Sequence, residues 1–194
     1  MDFYDEVADR YCYAGSAVLI NKLGITDLSD LEEAERDITA FMHRAVVYTP
    51  PPYSLQTLQA IHRTLFSELY AWSGEIRDVD ISKGNTRFCT HMRIEAEARR
   101  CFAALAEDRW LEGLDRRAVC AKLAEHYCEL NMIHPFREGN GRVQRIMFEQ
   151  LALHAGFVVN WSSVDPQDWL RANLDGVMVD YRAMEGIFDR ILSR

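Results

Sequence analysis

The chain has 194 residues, and its 22 lysines and arginines against 30 aspartates and glutamates leave a formal charge of −8. That balance excludes a broad nucleic-acid or anionic-membrane surface, which needs a basic face, so an anionic ligand must be held by a local cluster. The five cysteines, Cys12, Cys89, Cys101, Cys120 and Cys128, are odd in number and lack CxxC spacing. They suit neither a disulfide framework nor a zinc site and point to a reducing compartment. The length suffices for one well-buried core. The opening MDFYDEVADRY lacks the basic and apolar regions of a secretory signal, and no run approaches the roughly 18 apolar residues of a membrane span. The expectation is a soluble, cytosolic protein, unless another machine exports it.

Taken in chain order, SDLEEAERDITAFMHRAVV opens with Ser29 three residues before Glu32, a capping-box spacing, and repeats Leu31, Ala34, Ile38, Phe41 and Ala45 on one helical face. After the breaker TPPPY, Ser54 caps a second expected helix with the stripe Leu55, Leu58, Ile61, Leu65, Leu69 and Trp72, ending near Ser73-Gly74. RDVDISKGNTRFCTHM, from Arg77 to Met92, reads instead as β-formers around Lys83-Gly84-Asn85, a hairpin with a glycine turn and the one convincing strand pair. Helices follow at about 93 to 108 and about 115 to 132, the second with Val119, Leu123, Tyr127 and Leu130 at helical spacing. A further helix starts at or just before Arg142 and ends at Gly156, Asp165-Pro166 opens another to about Leu174, and a last one covers about 180 to 192. The sum is an all-α domain with one small β-hairpin.

Between two of these helices lies HPFREGNGRVQR, His134 to Arg145. Gly139-Asn140-Gly141 runs directly into a helix N-terminus, where first-turn N–H groups and the helix dipole attract an anion and glycine permits close approach. Arg142 and Arg145, three apart, share a face and can reach one polyphosphate. Glu138 is a hard oxygen ligand beside those phosphates, the usual setting for Mg²⁺. His134 adds a group that titrates near neutrality and can take a proton from an attacking hydroxyl. Together these meet the needs of phosphoryl or nucleotidyl transfer from a Mg-nucleotide; GxxxxGK[ST] is absent, so the loop is not a Walker A loop. Each residue alone has an ordinary reading as a turn histidine, a solvated carboxylate or surface arginines; the conjunction carries the inference.

HPFREGNGR resembles the HPFx[DE]GNGR signature of Fic-domain proteins at every specified position. LQAIHRTLFSELYAWSGEIRDVDISKGNTRF is similar to that family's helix and flap, and QLALHAGFVVNW to its post-motif helix, so the likeness spans nearly the whole chain and is strongest to short, stand-alone bacterial toxins of toxin–antitoxin pairs. The resemblance implies a Fic-fold helical bundle with a β-hairpin flap over the active site: one domain, 1–194, with a core at about 54–192, a flap at about 77–92 and an N-terminal helical extension at 1–48. It implies transfer of AMP from ATP to a Tyr, Thr or Ser hydroxyl of a target protein with release of pyrophosphate. In it His134 is the base, Glu138 binds Mg²⁺ bridging the α- and β-phosphates, Gly139, Asn140 and Gly141 form the anion hole, Arg142 holds the β- or γ-phosphate with Arg145 beside it, and Phe136 is a buried anchor.

The resemblance also gives the flap residues Lys83, Gly84, Asn85 and Phe88 a role in registering the target segment as an added strand, and sets Trp169 and Asn173 at the adenine pocket. For Phe88 the simpler reading is a hydrophobic residue packed inward, and for Trp169 an ordinary core aromatic. His62 matches a family position but sits on an apolar helix face and reads as a satisfied core histidine; His43, His91, His126 and His154 show no ligand spacing.

Many Fic proteins are restrained by a helix bearing Ser or Thr, three residues, Glu, then Gly or Asn, whose Glu pairs the second motif arginine. Here Glu-Gly occurs at Glu112, Glu138 and Glu185, preceded four residues earlier by Asp108, His134 and Tyr181, so none fits. The expectation is inhibition in trans by a small antitoxin whose Glu reaches Arg145. By resemblance to the short toxins, the expected targets are the ATPase subunits of DNA gyrase and topoisomerase IV. The alternatives are a Doc-like kinase, disfavoured by the retained glycines, a non-catalytic binding module, disfavoured by the intact His134, Glu138 and Arg142, and an AMP-removing enzyme, which needs the missing glutamate.

Overall fold

In the computed structural model, which describes residues 9–194, the first helix, α1 (Leu28–Met42), is capped by Asp27, whose side chain accepts from the Asp30 N–H. The cap therefore lies two residues before Ser29. The face turned inward carries Leu31, Glu35 and Thr39, whereas Phe41 is 68% exposed. Periodicity weighted the apolar residues; the fold instead buries a carboxylate, because partners elsewhere in the chain satisfy it. Of the expected helical extension at 1–48, residues 1–8 lie outside the described residues. Residues 9–22 form turns with a bridge between Cys12 and Leu19, and Tyr11, Cys12, Val18 and Leu19 are buried.

Helix α2 (Leu55–Phe66) starts where expected, the Ser54 N–H donating to Thr57 Oγ1 at 3.1 Å. It ends well before Ser73-Gly74, and Leu69 and Trp72 follow in turns. Gly74 takes φ +80°, which lets its N–H turn back onto Nδ1 of His62 at 2.8 Å. The hairpin forms from β1 (Ser82–Lys83) and β2 (Thr86–Arg87), with Ser82 opposite Arg87 and Lys83 opposite Thr86. The two-residue loop has positive φ at Gly84 and not at Asn85, the pattern of a type II′ turn.

Helices α3 (Ile94–Glu107) and α4 (Arg116–Asn131) come next, α4 capped by Asp115 through the Ala118 N–H at 2.9 Å. The motif helix α5 (Asn140–His154) has Gly139 as its N-cap and is followed by Gly156 at φ +87°. Then come β3 (Val158–Val159), α6 (Pro166–Val177), whose Asp165 cap accepts from the N–H groups of Gln167 and Asp168, α7 (Arg182–Ile191) and β4 (Leu192–Ser193). The antiparallel pair β3–β4 has no counterpart in the sequence reading: two residues per strand are too few to show alternation. Helix α4 packs against α7, α5, α3 and α6, and α5 also meets α2. The loop joining α4 to α5, which carries the motif, is thus fixed at both ends by buried helices. No helix among the described residues is long and apolar enough to cross a membrane.

Candidate active site

The α4–α5 loop holds His134 in a left-handed conformation, φ +43°, which costs a non-glycine residue about 1 kcal/mol or more and persists only where surroundings impose it. The imposition is visible. His134 Nδ1 donates to the Asn131 carbonyl; a carbonyl only accepts, so the proton sits on Nδ1 and the basic lone pair on Nε2. The ring is 6% exposed by residue and stacks on Phe88 with centroids 3.7 Å apart and planes at 15°. Phe88 is therefore packed inward, as its simpler reading had it, and the surface it packs on is the candidate base itself.

Arg77, which no sequence pattern singled out, ties the flap to this loop. It is 2% exposed, and its guanidinium donates to the carbonyls of His134 at 2.7 Å, Val79 at 2.5 Å, Cys89 at 2.5 Å and Ile133 at 3.2 Å. Two backbone bonds reinforce it, Arg77 N–H to the Pro135 carbonyl and Cys89 N–H to the Met132 carbonyl, both 2.9 Å. Only a planar, five-donor group can serve so many acceptors at once. Arg77→Met would strip the donors from buried carbonyls and is expected to lower stability by about 3 kcal/mol or more, read from urea unfolding. Transfer activity falls with it, since both flap and His134 lose their shared anchor.

Glu138 is fully buried. Its Oε1 accepts from the Gly139 N–H at 2.8 Å and from Arg142 Nη2 at 3.1 Å. The Gly139 N–H is thus taken by the neighbouring carboxylate, so Gly139 contributes conformation to the expected anion hole, while the N–H groups of Gly141 and Arg142 lie in the first turn of α5. Gly139 has φ +82°, and a Cβ placed there would fall 2.3 Å from Phe66 Cζ. The Asn140 side chain ties the loop to itself, accepting from the Phe136 N–H and donating to the Phe136 carbonyl, both at 2.8 Å. Among the described residues no group of three or more His, Cys, Asp or Glu is gathered to hold a metal. A single hard carboxylate beside a helix start fits an ion that takes its other ligands from phosphates and water, as Mg²⁺ does.

Behind the loop, His62 is fully buried between Phe66 and Phe136, with ring centroids at 4.6 and 4.1 Å. Its Nδ1 accepts from the Gly74 N–H at 2.8 Å, which leaves Nε2–H to donate to the Glu138 carbonyl at 3.0 Å. It is a structural histidine, as expected. Burial, by removing the imidazolium's hydration, holds its pKa down to about 3. The folded state stays neutral while the unfolded chain takes up a proton near pH 6.5, so stability falls as pH drops from about 6.5 towards 3. His62→Gln keeps one donor and one acceptor without titrating. Wild type is expected to lose about 2 kcal/mol more than this variant between pH 7 and pH 5 in urea unfolding.

In front of the loop, a cavity of about 200 Å³ is lined by Lys83, Thr86 and Phe88 from the flap, His134, Gly141 and Arg145 from the motif, Tyr127 and Asn131 from α4, and Trp169 and Asn173 from α6. Asn131 Nδ2 donates to Asn173 Oδ1 at 3.0 Å, and Asn173 Nδ2 to the Trp169 carbonyl at 2.7 Å, so an amide relay fixes this wall. Gly84 and Asn85 stay at the hairpin tip, outside the cavity lining. On the other side of Arg145 a second, larger cavity of about 620 Å³ opens between α1 and α5, lined among others by Glu32, Arg36, Thr39, His43, Arg142 and Glu149.

The two motif arginines differ in their surroundings. Arg142 Nη2 meets Glu35 Oε1 at 2.5 Å, its Nη1 donates to Thr39 Oγ1 at 3.2 Å, and its guanidinium lies 4.9 Å from the centre of the Phe66 ring. Arg145 lines both cavities. Glu35 and Thr39 were legible only as part of a helix; the one hint was their spacing of four, which sets both on one face.

A helical frame that gathers a histidine, a glycine-bearing helix start, Arg145 and a flap around one cavity, with Arg142 on the adjoining one, has the parts of a nucleotide-using transferase site. The chain matches the Fic/DOC family over residues 52–152. It is 40% identical over 192 residues to the "probable protein adenylyltransferase Fic" of Salmonella typhimurium and 38% identical over the same length to that of Escherichia coli, covering 99% of this chain and 96% of each relative. Its fold is similar to the crystal structure of the Bartonella tribocorum effector BepC with bound AMPPNP, with TM-score 0.85, 26% identity, 94% of this chain and 96% of that one covered. The chain belongs to the Fic/DOC family. Its activity class is nucleotidyl transfer, that of a protein adenylyltransferase.

Proposed function

We propose that the protein transfers AMP from ATP to a Tyr, Thr or Ser hydroxyl of a target protein and releases pyrophosphate. The observation that carries this reading is the single cavity lined by His134, Gly141, Arg145 and flap Lys83 together. The target hydroxyl oxygen attacks the α-phosphorus while its proton passes to Nε2 of His134. The bond from that phosphorus to the oxygen bridging to the β-phosphate breaks, and pyrophosphate leaves with the electron pair. The N-terminus of α5, Arg142 and Arg145 hold the phosphates, and the Trp169–Asn173 wall receives the adenine. Glu138 is the residue that would hold Mg²⁺, which when bound offsets phosphate charge.

The flap edge takes an extended target segment as an added strand, with Lys83, Gly84 and Asn85 at its tip. Candidate targets are the ATPase subunits of DNA gyrase and topoisomerase IV. Restraint comes from a small antitoxin whose glutamate reaches Arg145. The opening of Arg145 onto the larger cavity supports this. Full inhibition of the isolated chain would overturn that part.

Incubation with Mg²⁺, a bacterial lysate and ATP labelled at either the α- or the γ-phosphate tests the reaction. Label from the α position, with mass spectrometry finding AMP on a target hydroxyl, is expected. Label from the γ position alone would make the enzyme a kinase.

A further inference from the structure

Glu35 is a buried carboxylate outside the motif. It is 1% exposed. One oxygen, Oε1, meets Arg142 Nη2 at 2.5 Å, and the other, Oε2, accepts from the Tyr70 hydroxyl. Tyr70 is itself fully buried and stacks on Trp72 with ring centroids 4.4 Å apart. Burial first, and then the charge of Glu35, holds the Tyr70 hydroxyl protonated far above its ordinary range, so it is a permanent donor. Thr39, one turn on along α1, accepts from Arg142 Nη1 at 3.2 Å.

A carboxylate in low dielectric is costly unless paired and hydrogen-bonded. Here both conditions are met by groups whose own positions are locked, so the unit has one stable geometry. Two uses are conceivable for a carboxylate beside a phosphate-binding arginine: it can hold the guanidinium, or it can compete with the phosphate for it. The packing decides. Glu35 lines neither of the two cavities, whereas Arg142 lines the larger one, which shares Gly141 and Arg145 with the cavity that holds His134, and its side chain is 24% exposed. Glu35 therefore approaches from the protein side and leaves the solvent side to a ligand.

We propose that Glu35, braced by Tyr70, is a positioning residue for nucleotide binding: it fixes the Arg142 guanidinium so that it meets the outer phosphates of a nucleoside triphosphate. This rests on the reading of the site as an ATP site. Fixing a long side chain in advance spares the ligand the entropy of ordering it, so the gain shows as affinity for the part of the ligand that Arg142 touches.

The test compares binding of AMP and of a non-hydrolysable ATP analogue, with Mg²⁺, to wild type, Glu35→Gln and Tyr70→Phe by calorimetry, with steady-state rates alongside. Glu35→Gln is expected to weaken the analogue on the order of tenfold while leaving AMP affinity unchanged, and to raise KM for ATP more than it lowers kcat. Tyr70→Phe removes one hydroxyl without altering shape and shifts the same quantities in the same direction by less. A parallel loss for AMP and analogue in both variants would make the pair merely structural and overturn the proposal, and tighter binding of the analogue would make Glu35 a competitor. A wild type that binds the analogue no better than AMP would instead remove the ATP-site reading on which this rests.

Discussion

Replacing His134 by alanine is expected to cut transfer of α-label from ATP to target protein by about 10² to 10⁴, the usual worth of a positioned general base, while nucleotide affinity stays close to that of wild type. The substitution is clean for reasons specific to this loop. Position 134 has φ +43°, and alanine carries the same Cβ penalty there as histidine, so backbone strain is unchanged. Arg77 grips the carbonyl of residue 134 and not its side chain, so the tie to the flap survives. What is lost is Nε2, the Nδ1–H bond to the Asn131 carbonyl and the stack with Phe88. Initial rates at saturating ATP, with affinity measured separately, read the chemistry alone. Transfer at the wild-type rate would mean that another group takes the proton.

Gly139→Ala should severely damage the fold of the site. Two penalties add. The φ of +82° is left-handed, costing an alanine about 1 kcal/mol or more, and the new Cβ would lie 2.3 Å from Phe66 Cζ and 2.4 Å from Cε2. That ring has little room to retreat, being stacked on His62 at 4.6 Å with the Arg142 guanidinium over it at 4.9 Å. A destabilisation of about 3 kcal/mol or more is expected, together with loss of activity, because moving Phe66 disturbs Arg142 as well. Gly141→Ala is the matched control: its Cβ would meet nothing nearer than Arg145 Nη1 at 3.6 Å, an ordinary contact. Gly141→Ala should leave the urea midpoint nearly unchanged and lower only nucleotide affinity, by crowding the helix start where phosphate binds. Equal stability losses in the two variants would show that Phe66 is not the constraint.

The motif was readable because its chemistry is contiguous. Histidine, carboxylate, glycines and arginines occupy twelve residues, and the turn into α5 that presents them is encoded by local glycine conformation and helix geometry. His62 was assigned correctly to the core because an apolar face at helical spacing outweighs a lone imidazole. The helices α3 to α7 followed from periodicity and capping, and α2 failed only at its end, where Gly74 turns back to His62. Arg77, Glu35 and Tyr70 were invisible for one shared reason: each is a polar side chain with partners far along the chain, Glu35 finding Arg142 and Arg77 finding the loop at residues 133 and 134. The apolar stripe assigned to α1 was misplaced on the same account, Phe41 facing outward where Glu35 faces in.

The amino-acid sequence by itself determined the helical architecture, the hairpin and the chemistry-bearing loop, since short-range spacing and backbone preference act within a few residues. Only the tertiary structure decided how that loop is held: the proton of His134 on Nδ1, Arg77 binding flap to base, and Glu35 and Tyr70 behind Arg142. Buried polar groups are stable only when partnered, and which partners meet is a property of packing, not of local sequence.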